Sequence, residues 1–189
     1  GIASAKINFQ KLNFNEIILF DECKLENSPM NGGRIQKYFH NGKMGLLLTT
    51  SINGKKDTNF EAQDDKSIYG KVIFVDLLTG EYKIFAKGFR NPQGLFVDKN
   101  LIITSEHGPR GGDELNNIKY NGNYGWPISS YGEPYGTGFR LRNKNYLFEN
   151  FHKKNHYKYG FIEPIYSYVP SIGASEIIKI SDKFHPKWK

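Results

Sequence analysis

An all-β fold is predicted by three features of the sequence. Apolar residues alternate in short runs bounded by turn-forming dipeptides. Aromatic residues reach 15%, mostly Phe and Tyr, alongside 20 glycines. No stretch carries the capped 3.6-residue periodicity of an amphipathic helix. Short strands joined by many turns suit that mixture better than a helical bundle. The 189 residues suffice for one ordinary domain, and 38% hydrophobic with 24% charged residues argues against disorder.

Strands are predicted at 5–9, 16–20, 34–39, 45–50, 71–76, 82–85, 94–97 and 101–105, with two more at 165–169 and 176–180. Asn41-Gly42, Asn53-Gly54, Thr79-Gly80, Lys99-Asn100 and Asn121-Gly122 separate them as turns. Short helical turns are expected only within 141–155. A loose repeat runs through the chain: Gly32-Gly33-Arg34-Ile35, Pro92-Gln93-Gly94-Leu95 and Gly173-Ala174-Ser175-Glu176-Ile177 each set small residues before an apolar strand. Such recurrence suits propeller blades, whose first strands pack near a central axis. The segments 55–69 and 131–161 read as long insertions, and a sandwich with long loops is the competing architecture.

Charge and cysteine content narrow the function classes. The formal charge is +7 and the pI about 9.3. The densest basic run is His152-Lys153-Lys154-Asn155-His156-Tyr157-Lys158, while the other lysines are spread along turns. A solvated lysine-rich surface is the expectation, not a nucleic-acid groove. A single cysteine, Cys23, excludes an intramolecular disulfide and a cysteine-built zinc site. Its neighbours Asp21 and Glu22 disfavour a thiolate. No run approaches the roughly 18 apolar residues of a membrane span. The first residues show no signal-peptide pattern, and the chain is expected to begin inside a longer protein.

Chemistry concentrates between residues 88 and 127: Gly88-Phe89-Arg90-Asn91-Pro92-Gln93-Gly94, then Ser105-Glu106-His107-Gly108-Pro109-Arg110-Gly111-Gly112-Asp113-Glu114-Leu115-Asn116, then Gly122-Asn123-Tyr124-Gly125-Trp126-Pro127. Gly108-Pro109 and Gly111-Gly112 form a loop whose carbonyls can turn outward, and Asp113 and Glu114 add hard oxygen donors. Carbonyls plus carboxylates at close spacing suit Ca²⁺, which takes six to eight oxygens. The competing reading is a glycine-rich turn with a solvated acidic pair.

These stretches resemble the quinoprotein soluble sugar dehydrogenases, the aldose group more closely than the glucose group. The resemblance continues at Gly33-Arg34-Ile35, from Ala62-Gln63 to Gly70-Lys71-Val72, and at Pro170-Ser171-Ile172-Gly173-Ala174-Ser175. It implies an all-β, six-bladed β-propeller binding pyrroloquinoline quinone (PQQ) and Ca²⁺, which oxidises the C1 hydroxyl of an aldose and passes electrons to a separate acceptor. It implies a periplasmic or secreted location. Arg90 and Asn91 match the pair at the quinone and substrate oxygens, where a fixed guanidinium stabilises developing charge. Gly108 and Pro109 match the carbonyls holding the quinone's Ca²⁺. Glu114 and Tyr124 match a structural calcium site, Tyr124 through its carbonyl. Tyr135, Tyr166 and Ser171 match positions lining the cofactor pocket.

Two departures follow from the same comparison. The position of the family's general-base histidine is Met30, and a thioether accepts no proton at neutral pH. The other histidines, His40, His107, His152, His156 and His185, stand elsewhere, with His107 in the calcium loop. Only about three to three and a half blades fit into 189 residues. The expected domain is therefore a single partial propeller, 1–189, incomplete at both ends. The expected function is a PQQ- and Ca²⁺-dependent aldose dehydrogenase, with a non-catalytic calcium-stabilised propeller binding a sugar or protein as the alternative.

Overall fold

The computed structural model describes residues 1–8, 10–20, 32–53, 60–133, 152–181, 183–184 and 187. Among them the strands are β1 (Ile2–Ala5), β2 (Phe14–Ile18), β3 (Ile35–His40), β4 (Lys43–Thr50), β5 (Lys71–Asp76), β6 (Tyr82–Lys87), β7 (Pro92–Asp98), β8 (Leu101–Glu106), β9 (Asp113–Asn117), β10 (Gly122–Asn123) and β11 (Tyr166–Tyr168). Among the described residues the helical elements are two 3₁₀ turns, Phe60–Ala62 and Tyr157–Tyr159.

Strands β3 to β6 form one antiparallel meander, and short β10 adds parallel to β6. Strands β7, β8, β9 and β11 form a second antiparallel sheet. The pair β1–β2 stands as a separate hairpin. These are stacked propeller blades. The turn between β3 and β4 is Asn41-Gly42, both at positive φ, 50° and 79°, as a two-residue hairpin requires.

Burial explains the stacking. All six residues of β5 are buried, so its sheet is covered on both faces. One face sets Leu47, Val72, Phe74 and Phe85 against Leu95 and Ile102 of the second sheet and Phe89, Ile118 and Tyr124 of the connections. The other packs Leu46, Leu48, Ile73 and Val75 against Ile2, Ile18 and Phe20 of the hairpin. At about 25 cal/mol per Å² of apolar surface removed from water, these two interfaces are the main attractive force between blades.

The three repeated small-residue segments meet. The Arg34 guanidinium bonds the Gln93 carbonyl through Nε and the Ser175 carbonyl at 3.2 Å through Nη2. Its Nη1 lies 3.2 Å from the Glu176 carboxylate. A Cβ on Gly94 would overlap Ser105 Oγ and stand 3.1 Å from the backbone of Glu176 and Ile177. Glycine is there because backbones approach too closely for a side chain.

Several predicted elements shift. The first two strands lie two to four residues earlier than expected, at Ile2–Ala5 and Phe14–Ile18. Residues 176–180 form no strand, since among the described residues nothing pairs with them, and Ile178 stays 76% exposed. β9 was expected as loop, because Asp113-Glu114-Leu115-Asn116-Asn117 offers one apolar residue. Its partners on both sides override that propensity. Of the expected helical turns, 141–151 lie outside the described residues, and the described 3₁₀ turn comes later, at Tyr157–Tyr159.

Replacing Gly94 by Ala is expected to lower unfolding free energy by about 1–3 kcal/mol, as overpacked sites do. Urea titration of the variant measures it. An unchanged midpoint would mean the inner segments are not in contact.

Candidate functional site

The glycine-rich turn between β8 and β9 is a tightly packed knot of backbone. A Cβ on Gly108 would overlap the Gly112 carbonyl, and one on Gly112 would overlap the backbone of Gly132. Gly111 is free of neighbours but has φ +83°, the left-handed region that closes the turn. The Gly112 amide donates to the Pro109 carbonyl at 3.2 Å, and the Glu133 amide to Arg110 at 2.7 Å.

Arg90, just before β7, reaches into this turn. The residue is 6% exposed, and Nη1 donates to the carbonyls of His107 at 3.1 Å and Gly108 at 2.9 Å. Its guanidinium carbon stands 5.5 Å from the Trp126 ring centroid, a cation–π distance. Asn91 is equally buried. Its Oδ1 accepts from Ser51 Oγ at 2.6 Å and Gln93 Nε2 at 2.7 Å, while its carbonyl accepts the His107 amide at 3.0 Å. A Cβ on Gly32 would stand 3.0 Å from the Ser51 nitrogen and the Thr49 carbonyl, which places this glycine beside the residue that holds Asn91.

Adjacent residues on a strand face opposite ways, and β9 separates the two acids that the loop reading put in one ligand set. Asp113 turns to the turn and the segment beyond β11. Its Oδ1 accepts the Gly108 amide at 3.3 Å, and its Oδ2 accepts the amides of Ile172, Gly173 and Ala174 at 3.2, 2.7 and 3.3 Å. Burial raises its pKa, but the Ser171 hydroxyl and the Gly173 and Ala174 amides outweigh this and leave it below the usual value. Its oxygens are committed to backbone.

Glu114 turns the other way and lies cross-strand from Glu106. Both are about 3% exposed. Burial is the main cause that pushes Glu114 up to about 8 and Glu106 well above the carboxylate range, where Glu114 adds to the rise. Glu106 also accepts the Arg90 amide at 3.2 Å. His156 Nε2 lies 3.6 Å from Glu114 Oε1, and Nδ1 3.7 Å from Glu163. Burial lowers the imidazole to about 4, so at neutral pH these are contacts of an uncharged ring, not ion pairs. Glu114 Oε1 has no hydrogen-bond partner among the described residues. A buried carboxyl pair with an orphaned oxygen fits a divalent cation, which would replace the missing donors.

The structure therefore brings Arg90, Asn91, Gly108 and Pro109 to one end of the second sheet, with Ser171 tied to them through Asp113. The Gly108 and Pro109 carbonyls each already accept one hydrogen bond and keep a second lone pair for a cation. Two polar atoms of residues that Arg90 touches, His107 Nε2 and Trp126 Nε1, are buried without partners among the described residues, which fits a cofactor rich in oxygen acceptors and donors. Tyr124 spends its side chain in the core, stacked 4.7 Å from Phe89 with Oη on the Asn117 carbonyl at 2.6 Å. Only its carbonyl is left for a metal. Tyr166 sits opposite Leu115 and is 58% exposed, while Tyr168 stands opposite Asp113. Met30 and Tyr135 lie outside the described residues. Sequence reasoning missed Asp113 as a backbone clamp, Glu106, His156 and Trp126. Glu106, Asp113 and Trp126 lay within the quoted motif without these roles, and His156 is contributed by packing that no spacing announces.

A cavity of about 760 Å³ lies elsewhere, along β6, with Lys66, Phe85 and Asn121 in its wall. It gathers no convergent buried polar groups of the kind found at Arg90.

A family model described as glucose/sorbosone dehydrogenase matches residues 1–189. Aldose sugar dehydrogenase YliI of Escherichia coli (strain K12) is 30% identical over 182 residues, covering 88% of this chain and 44% of that protein. Quinoprotein glucose dehydrogenase B of Acinetobacter calcoaceticus is 43% identical over 123 residues, 64% of this chain and 23% of that one. The solved apo-form of the soluble aldose sugar dehydrogenase from Escherichia coli superposes with a TM-score of 0.73 at 26% identity, over 99% of this chain and 54% of that one. A crystal structure of glucose dehydrogenase gives a TM-score of 0.77 at 25% identity over the same shares. The chain spans about half the length of these relatives or less.

The buried acid pair sets a pH dependence. Glu114 holds its proton to about pH 8 in the fold and to about its ordinary 4.5 when unfolded. Stability from the protonated form is complete below the unfolded value and is lost as pH rises through the folded one. The melting temperature of metal-free protein is expected to fall between pH 5 and pH 8, and the fall to flatten in Glu114→Gln. Added Ca²⁺ should raise it more at pH 8 than at pH 5. Calorimetry in chelator and in Ca²⁺ decides, and an unaltered slope in the variant counts against the assignment.

Proposed function

As the chain belongs to the glucose/sorbosone dehydrogenase family, we propose that it carries part of the active site of an aldose dehydrogenase that uses PQQ and Ca²⁺ to oxidise the C1 hydroxyl to a lactone. The observation that carries this reading is Arg90: buried, at a cation–π distance over Trp126, and anchored on the carbonyls of the glycine-rich turn. PQQ, when bound, supplies a hydride acceptor for the hydrogen on C1.

The chain's own residues then divide the remaining tasks. Arg90 offers a fixed positive charge in a site shielded from water, where it stabilises negative charge as it develops. Asn91 is fixed by Ser51 and Gln93, so its side chain needs no reorganisation to orient a polar group. Gly108 and Pro109 would hold the cofactor's Ca²⁺ through their carbonyls, and Glu114 with the Tyr124 carbonyl would hold a second, structural one. Ser171, Tyr166 and Tyr135 would line the pocket. The relatives' names support a sugar substrate and a quinone, and the periplasm or exterior as the place of action follows from the same resemblance.

The proton of the C1 hydroxyl needs an acceptor. Met30, at the position of the base, provides none, and this favours a second reading in which the propeller binds calcium and a sugar or protein without turnover. His107, whose carbonyl Arg90 grips, is an alternative base, with Nε2 buried and unpartnered among the described residues.

Reconstitution with PQQ and Ca²⁺, followed by cofactor absorbance and dye reduction with a panel of aldoses, tests both. Met30→His is expected to raise turnover by about 10²- to 10⁴-fold. Arg90→Lys, which keeps charge but loses the planar fork, should lower kcat by about 10²- to 10³-fold. Failure to bind PQQ would leave the second reading. Brisk turnover by the unaltered protein, abolished in His107→Gln, would assign the base to His107.

A further inference from the structure

We propose that Asp113 is a positioning residue that makes the Gly108–Gly112 turn and the 171–174 segment a single mechanical unit, so that ordering one orders the other. The inference goes beyond the roles assigned above, and its bearing on turnover rests on the dehydrogenase reading.

The geometry is specific. One carboxylate oxygen takes the Gly108 amide, whose residue carries a candidate Ca²⁺-holding carbonyl and receives Arg90 Nη1. The other takes three consecutive amides, Ile172, Gly173 and Ala174. Successive amides converging on one anion form a nest, which requires a left-handed residue, and Gly173 supplies it at φ +68°. The 171–176 segment is otherwise poorly held. Residues 171–173, 175 and 176 are exposed, and Ile172 is 63% exposed. Arg34 holds its far end through Ser175 and Glu176. Its near end hangs on a carboxylate that is itself 1% exposed and fixed in β9.

Bonds to an ionised acceptor are stronger than neutral ones, and four amides share this acceptor. Asparagine at 113 keeps the size but presents one amide oxygen in place of two charged ones. It cannot serve both groups, so the turn and the segment separate. Coupling of this kind is reciprocal: loosening the segment must loosen the turn, and a cation on the turn must order the segment.

The test is site-resolved amide hydrogen exchange on the full chain, with and without Ca²⁺, on Asp113→Asn and on Gly173→Ala. The Cβ of Gly173→Ala meets nothing within 4 Å, so it disturbs only the left-handed backbone of the nest. Exchange at Ile172, Gly173 and Ala174 should accelerate by at least about tenfold in Asp113→Asn. Gly173→Ala should accelerate exchange at Gly108, on the other side of the clamp. Ca²⁺ should slow exchange at 172–174 in the unaltered protein but not in Asp113→Asn. In a working dehydrogenase Asp113→Asn should lower kcat with little change in KM, and Asp113→Glu should recover part of it. Acceleration spread evenly over β7 to β9, or Gly108 unmoved in Gly173→Ala, would overturn the clamp. The exchange arms need no turnover. A clamp seen in a protein without dehydrogenase activity refutes the proposed function alone, and activity with no exchange coupling refutes the clamp alone.

Discussion

Close approach of backbone to backbone is the constraint on which the rest of this structure depends. Inner segments of neighbouring blades meet where Gly94 leaves no room for a side chain, and the turn after β8 packs on itself through Gly108, Gly112 and Gly132. Backbones that close bring their polar groups together with little water between them. Those groups are then answered by side chains reaching in from the flanks: Arg34 across the inner segments, Arg90 onto the turn carbonyls, Asp113 onto the amides. Glycine content, which in isolation weakens strands, here creates the dense carbonyl and amide surfaces that only ions and charged side chains can satisfy.

The dipeptide Asp113-Glu114 shows how a strand assigns two chemistries to neighbouring acids. A two-residue period points one carboxylate at backbone amides and the other at Glu106 and His156. The first stays ionised because several donors face it. The second is driven up to about 8, first by burial and then by the nearby charge of Glu163, against hydrogen bonds that lower it. One is satisfied by the chain alone. The other leaves an oxygen without a partner among the described residues, and a cation bound there would stabilise the fold.

How much of this was legible follows from the kind of signal each residue carries. The β3–β8 strands and their turns were legible because apolar alternation and Asn-Gly or Lys-Asn pairs are local signals. The three small-residue segments were legible as a repeat, and their meeting at Arg34 bears out the propeller. Arg90, Asn91, Gly108 and Pro109 were legible through an ordered motif and do converge. β9 was hidden because a strand of acids and amides is made by its neighbours' ladders, and Asp113 was hidden for the same reason. His156 is distant in sequence and reaches Glu114 only through packing of a loop. Residues 176–180 have strand-like alternation but no partner among the described residues, and alternation without a partner makes no sheet.

The separation of orienting groups from the base gives the site its particular character. Arg90 and Asn91 are buried and cross-braced by Ser51, Gln93 and the turn. On the proposed reading, substitution at the base position would leave these orienting groups held, and turnover would fall with the proton transfer alone. Binding and catalysis differ by what is stabilised only in the transition state. On the proposed reading, a propeller with Met30 at the base position would keep the first and lose the second, unless an imidazole such as His107 takes the hydroxyl proton.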